Sequence, residues 1–403
     1  MLKSFDIFLL PARIGILCML SLLMNELVLA QNDSLKLQEY QLGGYVKSLQ
    51  TIQYANDLNT IITGQLLHHR INFKWLPTPK FTFAAELRNR VFLGEQVKIN
   101  PNFAKSIDVG NGVVDLSQIW VNKNGAVIHS ILDRLWIEYQ TEVWSLRAGR
   151  QRINWGLNTV WNPNDVFNSY NFLDFDYEER PGTDAIRAQI FFSDFTNLDL
   201  AVAPATNSDN WIAATKFGFN LKGYDFQILV GKYLTDAVFG TGWAGNLGNA
   251  GWKGEASYFL PYQNLLNNRG VLSASTGVDY VFPKGWYVNF SALFNSAGAN
   301  SLENLSELYS FTLSPKSLMP VKLTSMLQTG KSFTPLFNAS AAVLYSPNGH
   351  LLAALPSLSY NLAQNWDLDL IGQLFFAQTS NRKSIENLGN AIFFRLKWSY
   401  SAI

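Results

Sequence analysis

The stretch LLHHRINFKW, residues 66–75, carries an apolar side chain at every second position from Leu67 to Trp75, with the exception of His69. The other register is polar after its first residue and comprises Leu66, His68, Arg70, Asn72 and Lys74. Successive side chains of a strand point to opposite faces, so the stretch predicts a strand with one apolar face and one basic face. Such a strand fits a half-buried soluble sandwich, or a membrane-spanning barrel with lipid outside and water inside.

The two-sided pattern recurs along the chain. A breaker at 76–79 contains two prolines and ends the first strand, and a second alternating segment follows at 81–91. Further alternating segments lie at 134–140, 144–149, 186–192, 216–221, 272–280, 286–294 and 366–370. Segments of about ten residues with period two, separated by turns, are typical of an antiparallel transmembrane β-barrel. A soluble sandwich or a surface-binding lectin would need polar outer faces, which these strands lack.

The connections alternate in length. Short turns are predicted at 77–79, 140–142, 193–197, 222–224, 248–251 and 283–285, and long segments at 94–130, 154–183 and 297–317. In such barrels the short turns lie on the periplasmic side and the long loops outside. Both termini are expected in the periplasm, so the number of strands is even. Dividing 226–247 into two strands and adding one at 319–329 predicts about 18 strands, with 16 as the second choice. Residues 301–309 predict a short helix in a loop.

The N-terminal segment predicts export. Lys3 and Arg13 precede an apolar run at 14–24, and short side chains lie before the expected cleavage site after Ala30. This is the pattern of a cleaved signal peptide at 1–30. The run is too short for a spanning helix, which needs about 20 residues. Residues 31–403 are then the barrel, with 31–40 as a short periplasmic lead-in and no second domain. Cys18, the single cysteine, leaves with the signal, so no disulfide or thiolate metal site is expected.

Composition and the C-terminus agree with a barrel in the outer membrane of a Gram-negative bacterium. The chain has 12 Trp, 16 Tyr and 28 Phe, and transmembrane barrels place aromatics in girdles at the two lipid boundaries. The formal net charge of +1 gives no basic excess that would suggest nucleic acid. Residues 392–400 form a two-sided final strand that resembles the recognition signal of the barrel-assembly machinery, although Ser401–Ile403 follow the last aromatic residue. The expected partners are therefore outer-membrane lipid, that machinery and small polar solutes, and no cofactor is expected.

The segment 154–183 concentrates charge and aromatic residues, and it is long for an ordered loop. It predicts a constriction loop folded into the lumen. The acids of this loop and its end are Asp165, Asp174, Asp176, Glu178, Glu179 and Asp184. They would face a lumenal basic wall of Arg70, Lys74, Arg88, Arg90, Arg134, Arg147, Arg187, Arg395 and Lys397. Opposed acid and base would sort permeants by charge. The alternative is that the same charges form ion pairs that only anchor the loop.

Other residues near this loop are expected to have structural roles. Arg150 and Arg152 are out of phase with the inward set and are expected at the rim or in a bulge. The aromatic residues Trp155, Trp161, Tyr170 and Phe172 are expected to pack the folded loop, with a sugar path as the alternative. Asp279 and Glu255 read as ordinary lumenal residues.

Three motifs carry a family resemblance: Gly-Arg-Gln-x-Ile-x-Trp-Gly at 149–156, Asn-Pro-x-Asp at 162–165 and Arg-x-Gly-x-Asp-Ala-x-Arg at 180–187. They resemble a poorly characterised family of Gram-negative outer-membrane porin-like barrels, with alginate-export channels as distant relatives in architecture. The resemblance implies a single-chain barrel with a passive transport role, and it supplies no substrate.

The predicted function is therefore passive diffusion of small polar solutes, with a mild preference for anions. A barrel hydrolase and a surface-binding or structural barrel without an open pore are the alternatives. The histidines His68, His69, His129 and His350 show no nucleophile–base pattern and no metal-ligand spacing, so an enzyme and a metal site are not expected. The substrate and the oligomeric state stay open.

Overall fold

The computed structural model describes residues 39–54, 61–108, 112–169, 179, 181–207, 209–262, 269–301, 312–348, 350–378 and 385–402. The predicted signal peptide, the lead-in up to residue 38 and residues 302–309 of the predicted loop helix lie outside this part of the chain. Within it no helix is long and apolar enough to cross a membrane.

The described residues form one antiparallel sheet. Its strands are β1 (Tyr40–Tyr54), β2 (Ile61–Thr78), β3 (Phe81–Gly94), β4 (Ser117–Lys123), β5 (Ala126–Gln140), β6 (Trp144–Gln151), β7 (Thr183–Ser193), β8 (Thr196–Ala203), β9 (Ile212–Leu221), β10 (Tyr224–Tyr233), β11 (Asp236–Leu247), β12 (Ala250–Pro261), β13 (Val271–Val281), β14 (Trp286–Asn295), β15 (Leu323–Ser332), β16 (Phe337–Ser346), β17 (Leu351–Ala363), β18 (Trp366–Ala377) and β19 (Glu386–Ala402). Two short helices, α1 (Glu95–Lys98) and α2 (Phe103–Ile107), lie between β3 and β4.

The sheet closes on itself, because β19 pairs with β1 along residues 42–54. Strand β4 is an addition to the ring: β3 pairs directly with β5, and β4 pairs with residues 126–131 of β5. The closed barrel therefore has 18 strands, which confirms the predicted number and fold class. Closure pairs each of the 18 strands of the ring on both sides, as a barrel in lipid requires.

The predicted short turns all lie at one end of the barrel, where each joins two neighbouring strands. The long connections at 95–125, 152–182 and 296–322 lie at the other end, as predicted. The division of 226–247 into β10 and β11, and the added strand β15, are also confirmed. The turns themselves explain part of this regularity: Gly223 and Gly285 have φ of 81° and 78°, a backbone conformation that costs glycine little.

The outer face is apolar and exposed. Ile186, Phe217, Ile228, Phe290 and Leu327 are each more than a third exposed, as lipid-facing residues must be. Near the short turns, aromatic rings form contacts between neighbouring strands, such as Trp366 with Trp398 at 6.1 Å. The interior face is polar, except where a folded loop covers it.

Candidate functional site: the inner loop and the basic lane

Residues 152–169, here called the inner loop, leave β6 and fold into the barrel. Ile153, Trp155, Val166 and Phe167 join an apolar cluster with β7–β12. Val160 and Trp161 join a second cluster with β14–β18. Trp155 and Trp161 are 1% and 2% exposed, so both pack the folded loop, as predicted for these two aromatic residues. Tyr170 and Phe172 lie outside the described residues.

Two carboxylates secure the first half of the inner loop. Asp165, 2% exposed, accepts a hydrogen bond from the backbone N–H of Trp155 at 3.1 Å, which closes the loop on itself. Asp199 on β8 is fully buried and accepts from the indole N–H of Trp155 at 2.9 Å. The same carboxylate pairs with Arg187 at 2.5 Å. Asp165 and Arg187 therefore belong to the support of the loop.

Glu255 on β12 contacts the second half of the loop and is 1% exposed. Nothing in the sequence distinguishes Glu255 from other lumenal acids, because its loop partners are 91 to 98 residues away along the chain. The structure corrects that interpretation: Glu255 is the main polar anchor of residues 157–164.

The opposite wall, formed by β19, β1, β2, β3 and β5, carries a cluster of basic residues, several of them buried. We call it the basic lane, and it comprises Lys47, His68, Arg70, Arg88, Arg90, His129, Arg395 and Lys397. One cross-strand row runs without interruption from His129 through Arg90, His68 and Lys47 to Lys397. A second row places Arg88 directly opposite Arg70. Neighbouring strands therefore present like charges to one another.

The basic lane is held by a few carboxylates and rings. Arg70, fully buried, pairs with Asp133 at 2.6 Å and with Glu86. Arg88 reaches the same Asp133 at 3.1 Å. The ring of Tyr45 receives two ammonium groups, Lys47 at 5.3 Å and Lys397 at 4.9 Å from its centroid. Cation–π contact of this kind stabilises closely spaced cations without neutralising them.

Arg395 of the lane and the predicted basic residues outside it differ in their contacts. Arg147 forms a bidentate contact with Glu138 at 2.9 Å, and Arg395 pairs with Asp369 at 2.9 Å. Arg134 donates to the carbonyl of Asp133 at 2.8 Å. Lys74 is exposed near the short-turn end of β2. Arg147 and Arg134 therefore serve ion pairing or local structure at least as much as they line a path.

The predicted acids separate into three groups. Glu179 meets the basic lane: it accepts from the hydroxyl of Tyr45 at 3.0 Å and lies 3.6 Å from Arg70. Asp174, Asp176 and Glu178 lie outside the described residues. Asp184 differs from the expectation, because it lies on β7 in the register of the exposed Ile186 and pairs with Arg150 at 2.8 Å. Segment 112–116 covers that pair from outside, with the backbone N–H of Val114 donating to Asp184.

The lane includes residues that the sequence had not assigned to it. Lys47 was missed because the outward register of β1 contains Ser48 and Gln50, which hide its alternation. His129 was missed because β5 has a bulge at Asp133, between Arg134 and Leu132. The bulge shifts the alternation by one residue, so His129 turns inward, where it contacts Arg90 at 3.0 Å and Asp108 at 3.0 Å.

A cavity of about 500 Å³ lies between the basic lane and the helical segment α1–α2. Arg88, Arg90 and Thr51 line one part of it. Leu49, Phe92, Phe103, Ile131 and Phe393 provide an apolar part. Within the described residues, no group of three or more His, Cys, Asp and Glu side chains is placed to hold a metal ion.

The described residues thus form a closed 18-stranded antiparallel barrel with a loop folded inside. No family model matches the chain, and no curated protein matches it. Solved structures do: OccAB4 of Acinetobacter baumannii has a TM-score of 0.58 at 9% identity, with 90% of this chain and 98% of that chain covered. A BenF-like porin from Pseudomonas fluorescens Pf-5 has a TM-score of 0.58 at 8% identity, over 91% and 99% of the two chains.

OprD of Pseudomonas aeruginosa gives a TM-score of 0.57 at 6% identity, over 91% of this chain and 96% of that chain. The chain therefore shares the fold of these barrels over almost its whole length. The family resemblance of the motifs at 149–187 and the likeness to alginate-export channels stay predictions.

Proposed function

We propose that the protein is an outer-membrane channel through which small organic anions diffuse passively, along the basic lane. The observation that carries the proposal is the arrangement of like charges on adjacent strands. Lys47 lies directly opposite Lys397, and Arg70 directly opposite Arg88. Like charges in direct opposition destabilise a sheet, so the fold accepts a cost that a purely structural wall would avoid.

The position of the lane supports the same reading. The inner loop packs against β7–β12 and β14–β18, so the lane lies on the wall that these contacts leave. In the lane Lys47, His68, Arg70 and His129 are buried, and Arg90 and Lys397 are partly exposed. Glu179 brings one carboxylate to Arg70, the opposed contact expected of a constriction. The barrel neighbours, one of which is named a porin, support a channel in the outer membrane.

The cavity narrows the class of solute. Arg88, which also pairs with Asp133 of the same cavity, and Arg90 supply N–H donors for an anionic group, while Phe92, Phe103 and Phe393 fit an apolar body. An anion with a carbon skeleton would use both parts, whereas an inorganic anion would use only one. The proposed function requires no catalysis.

The test is single-channel recording of refolded protein in a planar bilayer, with the reversal potential measured under a salt gradient. We expect a steady conductance and preference for anions. A double variant, Lys47→Gln with Lys397→Gln, should lower the anion-to-cation permeability ratio about three- to tenfold, since each charge contributes about 0.6 kcal/mol to an ion ~7 Å away in water. Lys331→Gln is the matched control, because Lys331 stacks on Trp286 outside the lumen.

Two results would contradict the proposal. A folded barrel that carries no current would remove the channel. A conducting barrel whose selectivity is unchanged in the double variant would keep the channel and remove the role of the lane. Block of the chloride current by a small aromatic carboxylate, but not by sulfate at equal concentration, would support the assignment of organic anions.

A further inference from the structure

Glu255 makes an unusual set of contacts with the inner loop. One carboxylate oxygen accepts from the backbone N–H groups of Leu157 and Asn158, both at 2.5 Å, and from the side-chain amide of Asn162 at 3.0 Å. The other oxygen accepts from the backbone N–H of Asn164 at 3.1 Å. A single carboxylate thus satisfies four donors from an eight-residue turn. The amide of Asn162 also donates to the carbonyl of Asn158 at 2.7 Å, so the carboxylate matters most for the three backbone N–H groups.

The wall around Glu255 is shaped to receive the loop. A Cβ at Gly240 would lie 2.7 Å from Oδ1 of Asn164, and a Cβ at Gly277 would lie 2.9 Å from Oδ1 of Asn158. Ser257 donates to Asn164 at 2.7 Å. Small residues of the wall therefore contact the asparagine side chains of the loop, and larger residues at these positions would push the loop away from the wall.

The anchor lies between the two apolar clusters of the loop. Trp155 and Phe167 belong to the first cluster, and Val160 and Trp161 to the second. Residues 157–164 lead from the first cluster to the second and back, and their backbone N–H groups need hydrogen-bond acceptors. Apolar packing is tolerant of small displacements, whereas four hydrogen bonds to one carboxylate define a position. Among the described residues, no Lys, Arg or His forms an ion pair with Glu255, so its charge is held by these neutral donors.

We propose that Glu255 is the positioning residue that sets the width of the passage, by holding the inner loop against β12 and away from the basic lane. The inference rests on the proposed channel function and adds to it the side chain that determines the constriction. Glu255 touches no permeating solute in this scheme, because the loop covers it completely. Its effect on conduction is carried by the loop.

The first test is Glu255→Gln, which keeps the shape of the side chain but presents an NH2 group to N–H donors. The amide oxygen can still accept from Leu157, Asn158 and Asn162, but the NH2 group then meets the backbone N–H of Asn164. We expect the turn to loosen at Asn164, so that single-channel conductance changes by about twofold or more and current fluctuations within the open state increase. Asp279→Asn is the matched control. Asp279 is a carboxylate of the neighbouring strand β13 that pairs with Lys253 at 3.7 Å, and its loss removes the same charge without a described contact to the loop.

A disulfide tests whether the loop is the cause. Residues 31–403 contain no cysteine, so Asn164→Cys with Ser257→Cys introduces one pair at side chains whose polar atoms lie 2.7 Å apart. In the Glu255→Gln background, the oxidised pair should return conductance and fluctuations to those of the wild type. Reduction should release them again. A change caused by charge alone would not respond to oxidation.

The outcomes separate the two proposals. If the wild type conducts and Glu255→Gln conducts identically, or if Asp279→Asn produces the same change, the positioning role is overturned and the channel stands. A change that the disulfide does not reverse also overturns it. A folded wild-type barrel without current refutes the channel and this inference together. Should Glu255→Gln not fold, Glu255→Asp, shorter by one methylene, should show the same direction of change.

Discussion

The replacement Asp199→Asn should cost the barrel several kcal/mol of stability. Asp199 is fully buried and accepts from the guanidinium of Arg187 at 2.9 and 2.5 Å and from the indole of Trp155 at 2.9 Å. The ammonium of Lys216 lies 4.0 Å away. Removing the carboxylate charge leaves two cations together in a buried site. Breaking a buried ion pair from one side costs about 3–5 kcal/mol, and the weakened indole bond adds about 1 kcal/mol.

The assay is equilibrium unfolding in urea from lipid vesicles, followed by tryptophan fluorescence. The expected decrease in the free energy of unfolding is about 4 kcal/mol, and it should be present at neutral pH. Asp225→Asn is the control: its carboxylate is exposed and bonds only Asn220 at 2.8 Å among the described contacts, so its change should stay within about 0.5 kcal/mol. A loss for Asp199→Asn no larger than that of the control would refute the reasoning, since it would mean that water reaches the site and screens both cations.

Two further predictions test the folded loop and the closed barrel. Trp161→Ala should lower the free energy of unfolding by about 3–5 kcal/mol, because it leaves a cavity in a fully packed site. Trp120→Ala is the control, and because Trp120 is 66% exposed it should cost about 1 kcal/mol or less. Equal losses of the two variants in urea titrations would contradict the packing of Trp161. The closed sheet should also keep unboiled protein compact in detergent gels, so that its mobility changes on boiling. Identical mobility before and after heating would argue against a closed barrel.

The strands were predictable because their signal is local. Alternation in 66–75 and 81–91 depends only on which face each side chain takes, and a water-filled lumen and lipid impose opposite preferences on those faces. Which of the two faces points into the barrel was harder to predict. The bulge at Asp133 turns His129 inward, and no residue type in 126–134 predicts a bulge there.

The partners of the charges could be anticipated only where a short turn fixes the register. Glu138 and Arg147 face each other across the turn at 141–143, so their pairing follows from the hairpin. The contact of Glu255 with the inner loop joins residues almost a hundred positions apart and depends on how the loop folds inside. Asp184 resembled a loop acid because it follows the loop directly, but it occupies the outward register of β7.

The two halves of the lumen show why the loop lies where it does. Its backbone carries donors and acceptors that must be satisfied away from bulk water, and the wall of β11–β13 offers Gly240, Gly277, Ser257 and the carboxylate of Glu255. The basic lane offers cations that cannot accept a hydrogen bond from a backbone N–H. The loop is therefore complementary to the wall of Glu255, whose carboxylate accepts from the loop and whose Ser257 donates to Asn164. In the proposed channel, the side chains that hold the loop against β11–β13 would also keep it from the cations of the lane, which would then be left to bind anions.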